Sequence, residues 1–252
     1  MENNTLCNRH SLGVNNHTKM YVTYTRIYGW SDYGGESSYQ PGYRLENMMW
    51  MTLLVYDYII PEENKMKYER IEKAVFLERE NRFVAYVELE GKREKVHVKN
   101  TGRCEELLIP GAEVYLQKSE NEKRATLWDL IAVKKGERLV NLDSQIPNRC
   151  VEEWLQTGNL FKEIQCIRPE ITYGDSRLDL YAEGDGKKAF IEVKGVTLEE
   201  DGVCLFPDAP SERAVRHIEE LIKAKKEGYE AILFFVIQMK EVRYFTPNQK
   251  TQ

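Results

Sequence analysis

The stretch that most constrains this chain is Arg177-Leu-Asp-Leu-Tyr-Ala-Glu-Gly-Asp-Gly-Lys-Lys-Ala-Phe-Ile-Glu-Val-Lys194. Two runs of alternating residues flank Asp185-Gly186, a dipeptide suited to a two-residue type I′ turn because both positions need φ > 0. A turn there sets Asp179 across from Glu192, Leu180 from Ile191, Leu178 from Val193 and Arg177 from Lys194. Side chains alternate faces along a strand, so Asp179, Glu192 and Lys194 share one face and the aliphatic residues bury the other. Carboxylates directly opposed on paired strands repel each other. A divalent cation between them reverses the sign, which makes this hairpin a candidate metal site.

Charges on the outer face of a half-exposed hairpin are common, and an Asp with a Glu-Val-Lys alone fits a solvated surface. Three features favour the functional reading. Apolar residues on both flanks suggest a buried strand pair, where unpaired charges are costly. Glu170 lies just upstream in Arg168-Pro-Glu-Ile-Thr-Tyr. Downstream comes a helix with its own cations, Arg213, Arg216 and His217. Arg213 and His217 are one helical turn apart and share a face, although a solvated basic helix face explains them too.

Composition narrows the class. A 252-residue chain with 42% hydrophobic and 31% charged residues is that of a soluble globular protein of one large or two small domains. Its net charge of −5 argues against a general polyanion binder, so contact with nucleic acid has to use a local basic surface. Cys7, Cys104, Cys150, Cys166 and Cys204 form no CxxC pair, which favours reduced thiols in a cytoplasmic protein over disulfides or a zinc site. The apolar run Met48–Tyr56 is too short to span a bilayer and is followed at once by Asp57, so no membrane partner is expected.

In chain order, residues 1–65 are rich in Asn, Tyr, Gly and Ser, show no sustained period, and read as a poorly structured extension. Met66 is a natural start for the strand-rich part of the chain. Residues 66–142 read as short strands with turns at Glu90-Gly91, Thr101-Gly102 and Pro110-Gly111, a pattern that suggests a small barrel. Cations interleave with aromatics there: Arg79, Arg82, Phe83, Tyr86, Lys92, Arg93, Lys95, Lys99 and Arg103. Such a set suits single-stranded nucleic acid, while Phe83 or Tyr86 taken singly reads as an ordinary core or surface aromatic. In Asn100-Thr101-Gly102-Arg103, small residues let backbone N–H groups approach a phosphate, with Arg103 supplying charge. A plain structural turn explains the same residues equally well. His97, between two valines on a strand, is given no role.

A helix opening at Ile146-Pro-Asn148 and closing at Gly158 begins the second domain, residues 143–252. After the hairpin, Gly195–Leu198 continues the strand, and Gly202–Phe206 is placed to pair back with it. Ser211 caps the longest helix, on which Val215, Ile218, Leu221 and Ile222 form the apolar stripe and Gly228 marks the end. Ala231–Ile237 reads as a buried central strand that ends at Gln238, at the edge of the candidate site.

The acidic residue, short gap and Glu-x-Lys of the hairpin resemble the PD-(D/E)xK nuclease signature, which is weak when taken alone. Around it, Asn100-Thr-Gly-Arg, Ile109-Pro-Gly, Gln145-Ile-Pro-Asn, Gly174-Asp-Ser-Arg-Leu-Asp, Ile191-Glu-Val-Lys-Gly-Val-Thr-Leu and Leu205-Phe-Pro-Asp-Ala-Pro-Ser-Glu-Arg resemble the sugar fermentation stimulation protein family (SfsA) in order and spacing from about residue 68 to 247. The resemblance implies an α/β (α+β) chain, with a small OB-like β-barrel followed by a PD-(D/E)xK restriction-endonuclease-like domain. It also implies a further helix and strand beyond Gln252, so the second domain is expected to be truncated. Family members carry an Arg…His set at the long helix, where Arg213-Ala-Val-Arg-His stands in place of the expected Arg-Gly-x-Lys-His.

The activity this implies is metal-dependent phosphodiester hydrolysis. Asp179 and Glu192, with the carbonyl of Val193, would hold Mg²⁺ or Mn²⁺, and Lys194 would orient water or stabilise developing charge. Glu170 is a further candidate ligand, and Gln238 a candidate for positioning the nucleotide. Asn100, Thr101, Arg103, Arg177, Arg213, Arg216 and His217 are the candidate nucleic-acid contacts. The partner implied is nucleic acid, DNA ahead of RNA, and a homodimer is compatible with the sequence. A second reading is a non-catalytic, non-specific DNA-binding regulator of sugar metabolism of the maltose type. The intact Asp179…Glu-Val-Lys constellation counts against it, since a pure binder has no chemical need for it. A sugar hydrolase ranks last, because such enzymes need separated acid and base groups in an open cleft.

Overall fold

The computed structural model describes residues 67–121, 123–158 and 160–251, together with the backbone of two short strands, β1 (Met20–Tyr21) and β2 (Trp50–Leu54). Cys7, residues 48–49 and 55–57 of the early apolar run, and most of the 1–65 extension lie outside the described residues. β1 pairs with β3 (Lys67–Tyr68).

Five strands close a barrel: β4 (Ile71–Asn81), β5 (Val84–Leu89), β6 (Lys92–Val98), β7 (Glu113–Lys118) and β8 (Trp128–Lys135). Sheet order is β6-β5-β4-β7-β8, and the parallel contact of His97 and Val98 with Asp129 and Leu130 shuts it. β9 (Arg138–Asn141) extends the barrel as a hairpin on β8. The alternation read from sequence works as expected: Ala74, Phe76, Ala85, Val87, Val96, Val98, Val114 and Leu116 point inward and are buried. Glu90 and Gly91 take φ 52° and 74°, as the β5–β6 turn requires.

A mixed sheet follows, with order β10-β11-β12-β15-β2. Its strands are β10 (Ile164–Tyr173), β11 (Ser176–Gly184), β12 (Lys187–Val196) and β15 (Glu230–Ile237), with β2 parallel to β15 at the edge. Helix α1 (Ile146–Gln156) covers one face and α2 (Glu212–Lys226) the other. β12 is therefore covered on both faces, as the apolar flanks of the hairpin suggested. Leu180, Ile191, Val193, Ile232 and Phe234 pack on the α1 side with Val151 and Leu155, while Phe190, Leu233 and Phe235 join Leu221 and Ala224 on the α2 side. Phe76, Phe234, Leu155 and Leu221 are each fully buried, a burial worth about 1.5–3 kcal/mol per side chain.

Two expectations are refined. Gly202–Phe206 turns back as expected, but it meets Gly195–Leu198 only at its end, where the Leu205 N–H donates to the Leu198 carbonyl at 3.1 Å. The main partners of β14 (Val203–Phe206) are β13 (Glu199–Glu200), antiparallel, and β16 (Tyr244–Pro247), parallel. On α2, Ser211 caps the helix by accepting the Ala214 N–H at 3.2 Å, as expected, but the buried face is His217–Leu221–Ala224. Val215 and Ile222 are exposed. The helix is rolled so that a histidine, not a valine, meets the sheet.

Barrel and sheet are joined through buried polar groups. Gln238 Nε2 donates to Asn141 O at 3.2 Å and Asp143 O at 3.2 Å, and its carbonyl accepts the Asn141 N–H at 2.8 Å. Asp143, fully buried, pairs with Lys99 Nζ at 2.5 Å and accepts from the Tyr68 hydroxyl at 3.3 Å. On the far side Glu199, 3% exposed, takes Arg138 Nη1 at 2.7 Å, Lys135 Nζ at 3.0 Å and the Gly202 N–H. Burial alone would push the Glu199 carboxyl up; the Gly202 N–H, Lys135 and Arg138 outweigh it and hold it below the usual range. A depressed carboxylate stabilises the fold above its unfolded pKa of about 4.3, and that stabilisation is lost as pH falls below it. Glu199→Gln is expected to cost about 3 kcal/mol at pH 7 in urea unfolding, because two partly buried cations lose their charged partner. The deficit should shrink steadily below about pH 4 as the native carboxylate takes up its proton.

Candidate metal and phosphodiester site

The hairpin turns where the sequence placed it: Asp185 and Gly186 take φ 51° and 71°, and the register pairs Gly184 with Lys187 through Leu180 with Ile191. The described pairing stops there, so the expected Asp179–Glu192, Leu178–Val193 and Arg177–Lys194 pairs do not extend the ladder. At that point the Val193 N–H goes to Asp179 Oδ2 at 2.8 Å, and Asp179 Oδ1 accepts Asn148 Nδ2 at 3.1 Å from the first turn of α1. Strand separation and helix docking together fix one carboxylate.

Glu192 is 2% exposed, on the face that α2 covers. Its Oε1 accepts from Lys194 Nζ at 2.5 Å and His217 Nδ1 at 2.5 Å. His217 Nε2 lies 3.4 Å from Arg213 Nε, a donor. This arrangement assigns the proton of a neutral imidazole to Nδ1, because a carboxylate can only accept there and Nε2 must accept from the guanidinium. Glu192 Oε2 is buried and has no hydrogen-bond partner. Burial, then the Glu192 charge, push the Asp179 carboxyl above its usual range, against the pull of Val193 N–H, Asn148 and Lys194.

Asp179, Glu192, Lys194, Arg213 and His217 are thus brought together. The remaining candidates are placed elsewhere or otherwise engaged. Glu170, at φ 54°, pairs with Arg177, and both are exposed. Arg216 is exposed on α2. The Gln238 amide is turned to Asn141 and Asp143 in the seam between barrel and sheet. Asn100, Thr101 and Arg103 sit on the barrel loop after β6. The Tyr86 ring is covered by Arg93, with Cζ 4.2 Å from the centroid, and its hydroxyl donates to Glu80 at 2.8 Å, so it is no open stacking platform. Phe83 stays half exposed. The residue that sequence reasoning missed is Asn148. It was visible only as a helix start, and its reach to Asp179, across 31 positions, had no local signal.

The donor set suits a hard divalent ion. An orphaned carboxylate oxygen on Glu192 and a carboxylate of raised pKa on Asp179 are both acceptors that a cation would satisfy. Among the described residues no group of three or more His, Cys, Asp and Glu side chains converges as a metal cage. Two carboxylates and a backbone carbonyl leave room for water ligands, which Mg²⁺ in particular retains. No described helix is long and apolar enough to cross a membrane, and the four described cysteines are free thiols.

Two family models match this chain. A family model described as the SfsA N-terminal OB domain matches residues 77–142, and one described as the sugar fermentation stimulation protein RE domain matches residues 145–252. Curated relatives include sugar fermentation stimulation protein homologs of Clostridium beijerinckii, 57% identical over 74% of this chain and 82% of that protein, and of Desulfitobacterium hafniense, 58% identical over 74% and 81%. The solved structure of Pyrococcus furiosus SfsA in complex with Ca²⁺ aligns with a TM-score of 0.68 at 30% identity, covering 74% of this chain and 81% of that one.

The raised Asp179 carboxyl has a readable consequence. A carboxyl whose folded pKa lies above its unfolded value gives up stability as pH rises through that folded pKa. In EDTA the wild type is therefore expected to lose melting temperature relative to Asp179→Asn as pH rises from 4 to 8, whatever constant offset the amide causes by meeting one of the two donors. Mn²⁺ should raise the wild-type melting temperature and leave the variant unmoved.

Proposed function

Because the chain belongs to the sugar fermentation stimulation protein family, we propose that it is a metal-dependent phosphodiesterase of PD-(D/E)xK type acting on nucleic acid, DNA ahead of RNA. The observation that carries this reading is the unpartnered, buried Glu192 Oε2, on a carboxylate near enough to Asp179 for the two charges to couple. A pure binder has no use for an unsatisfied carboxylate oxygen, which costs about 1–3 kcal/mol or more when left so. The Ca²⁺ described for the Pyrococcus furiosus relative lends support, since Ca²⁺, Mg²⁺ and Mn²⁺ all favour oxygen ligands.

Asp179, Glu192 and the Val193 carbonyl would hold Mg²⁺ or Mn²⁺. The ion supplies Lewis acidity to the phosphate and lowers the pKa of a bound water. The other groups position and neutralise. Asn148 and the Val193 N–H hold the Asp179 carboxylate in one orientation. His217 fixes Glu192 from α2, with Arg213 behind it. Lys194 is proposed to leave Glu192 for the attacking water or the developing charge on phosphorus once substrate is bound. Arg177, Arg213 and Arg216, all exposed, are the proposed partners of flanking phosphates.

One contact favours the second reading, a DNA-binding regulator of sugar metabolism without turnover. Lys194 and His217 both sit on Glu192 Oε1, so the carboxylate is partly compensated with no ion. Cleavage of labelled single- and double-stranded DNA and RNA in Mg²⁺, Mn²⁺ or EDTA separates the two. The nuclease reading expects metal-dependent cutting that falls by about 10²–10³-fold or more in Glu192→Ala and Lys194→Ala, with binding kept. Binding without cutting by folded wild type would overturn it in favour of the regulator.

A further inference from the structure

The loop Asn100–Arg103 is shaped by one side chain. The half-buried guanidinium of Arg79, from β4, donates to the carbonyls of Asn100 at 2.7 Å, Gly102 at 2.8 Å and Arg103 at 2.5 Å. It is anchored in turn on the carbonyls of Arg82 at 2.7 Å and Asn81 at 3.1 Å. Across a trans peptide the C=O of one residue and the N–H of the next point in opposite directions. Three carbonyls turned onto Arg79 therefore turn the N–H groups of Thr101, Arg103 and Cys104 away from it. None of those three donates to a protein acceptor among the described residues, whereas the Gly102 N–H is taken by Asn100 Oδ1 at 2.7 Å. Cys104 follows at φ 49°, the left-handed turn that gathers successive N–H groups into an anion-binding concavity. Arg103 is exposed, and its side chain makes no ion pair among the described residues.

The loop borders a cleft of about 130 Å³ between barrel and sheet. Asn100 is the loop's own residue in its lining, with Ser144, Thr197, Phe206, Gly195 and Gln238. Gly195 directly follows Lys194, and a Cβ there would collide with Gln238 and Pro147, so the glycine lets those two side chains close the floor. The cleft is too small for a duplex and suits one backbone. Asp208 stands against the Gly102 side of the loop, its Oδ2 3.5 Å from where a Cβ would lie, which leaves the Arg103 side for an anion.

We propose that the Arg79-braced loop is a phosphate seat, and that a single-stranded nucleic acid held there runs through the cleft towards Lys194, touching both parts of the molecule at once. The identity of the anion rests on the nucleic-acid reading above; the seat itself does not.

The test uses the full chain in EDTA, with ¹⁵N amide shifts read during titration with inorganic phosphate and then with a short 5′-phosphorylated oligo-dT. Saturable shifts at Thr101, Arg103 and Cys104 are expected with phosphate, and further shifts at Thr197 with the oligonucleotide. Thr101→Pro deletes one donor while sparing every acceptor of Arg79, and should weaken phosphate binding; Arg103→Ala should weaken the oligonucleotide about fivefold and lower its salt slope by about one phosphate. Loop amides unmoved by phosphate in a folded protein overturn the seat. Duplex bound as tightly as single strand, with Thr197 silent, overturns the path. Neither metal nor turnover enters, so loop shifts without cleavage would sink the nuclease reading alone, and cleavage without loop shifts the seat alone.

Discussion

A carboxylate removed from water at Glu192 has to be compensated, and much of the second half of the chain is arranged to do so. Lys194 supplies one cation from two residues along the same strand, but an adjacent lysine cannot by itself orient a buried carboxylate. The second partner arrives from α2, which must lie across the sheet at an angle that sets His217 on Oε1. That demand explains why α2 leaves Val215 and Ile222 in solvent and buries His217, Leu221 and Ala224. Apolar burial favours many rolls of such a helix; a hydrogen bond to a buried charge selects among them.

The other carboxylate is governed by α1. Asn148 reaches Asp179 only because Pro147 and Ile146 start the helix beside Gly195, where any side chain would strike Pro147. The same small region carries the Asn141–Asp143–Gln238 network that ties the barrel to the sheet. Domain seam and candidate site therefore share their supports, and the barrel loops are held in fixed relation to the carboxylates. Gln238 shows how closely the two are combined: it directly follows the buried strand β15, and its amide bonds the barrel instead of facing a substrate.

The hairpin was legible because its information is local. Alternation, an Asp-Gly turn and the count of residues on either side determine the register, and the structure reproduces it as far as Leu180–Ile191. The barrel strands were legible for the same reason, since each carries its own period and turn residues. What escaped was set by distant partners. The Val193 N–H ends the ladder on a side chain, Asn148 acts from another element, and β14 gains a parallel partner, β16, from about forty residues downstream. Arg79 looked like one more surface cation on a basic strand. Only folding of the loop around it reveals a guanidinium engaged with five carbonyls.

The position of β12 has a dynamic consequence. It is paired along one edge with β11 and along the other with β15, and both of its faces are covered by helices. Amides in such a strand exchange with solvent only when a large cooperative unit opens, so the backbone bearing Glu192 and Lys194 belongs among the slowest-exchanging segments of the molecule. Partial unfolding is therefore a poor means of gating this chemistry. Modulation has to come from elements that can shift while the sheet stays shut, which leaves the two helices and the loops that rim the cleft.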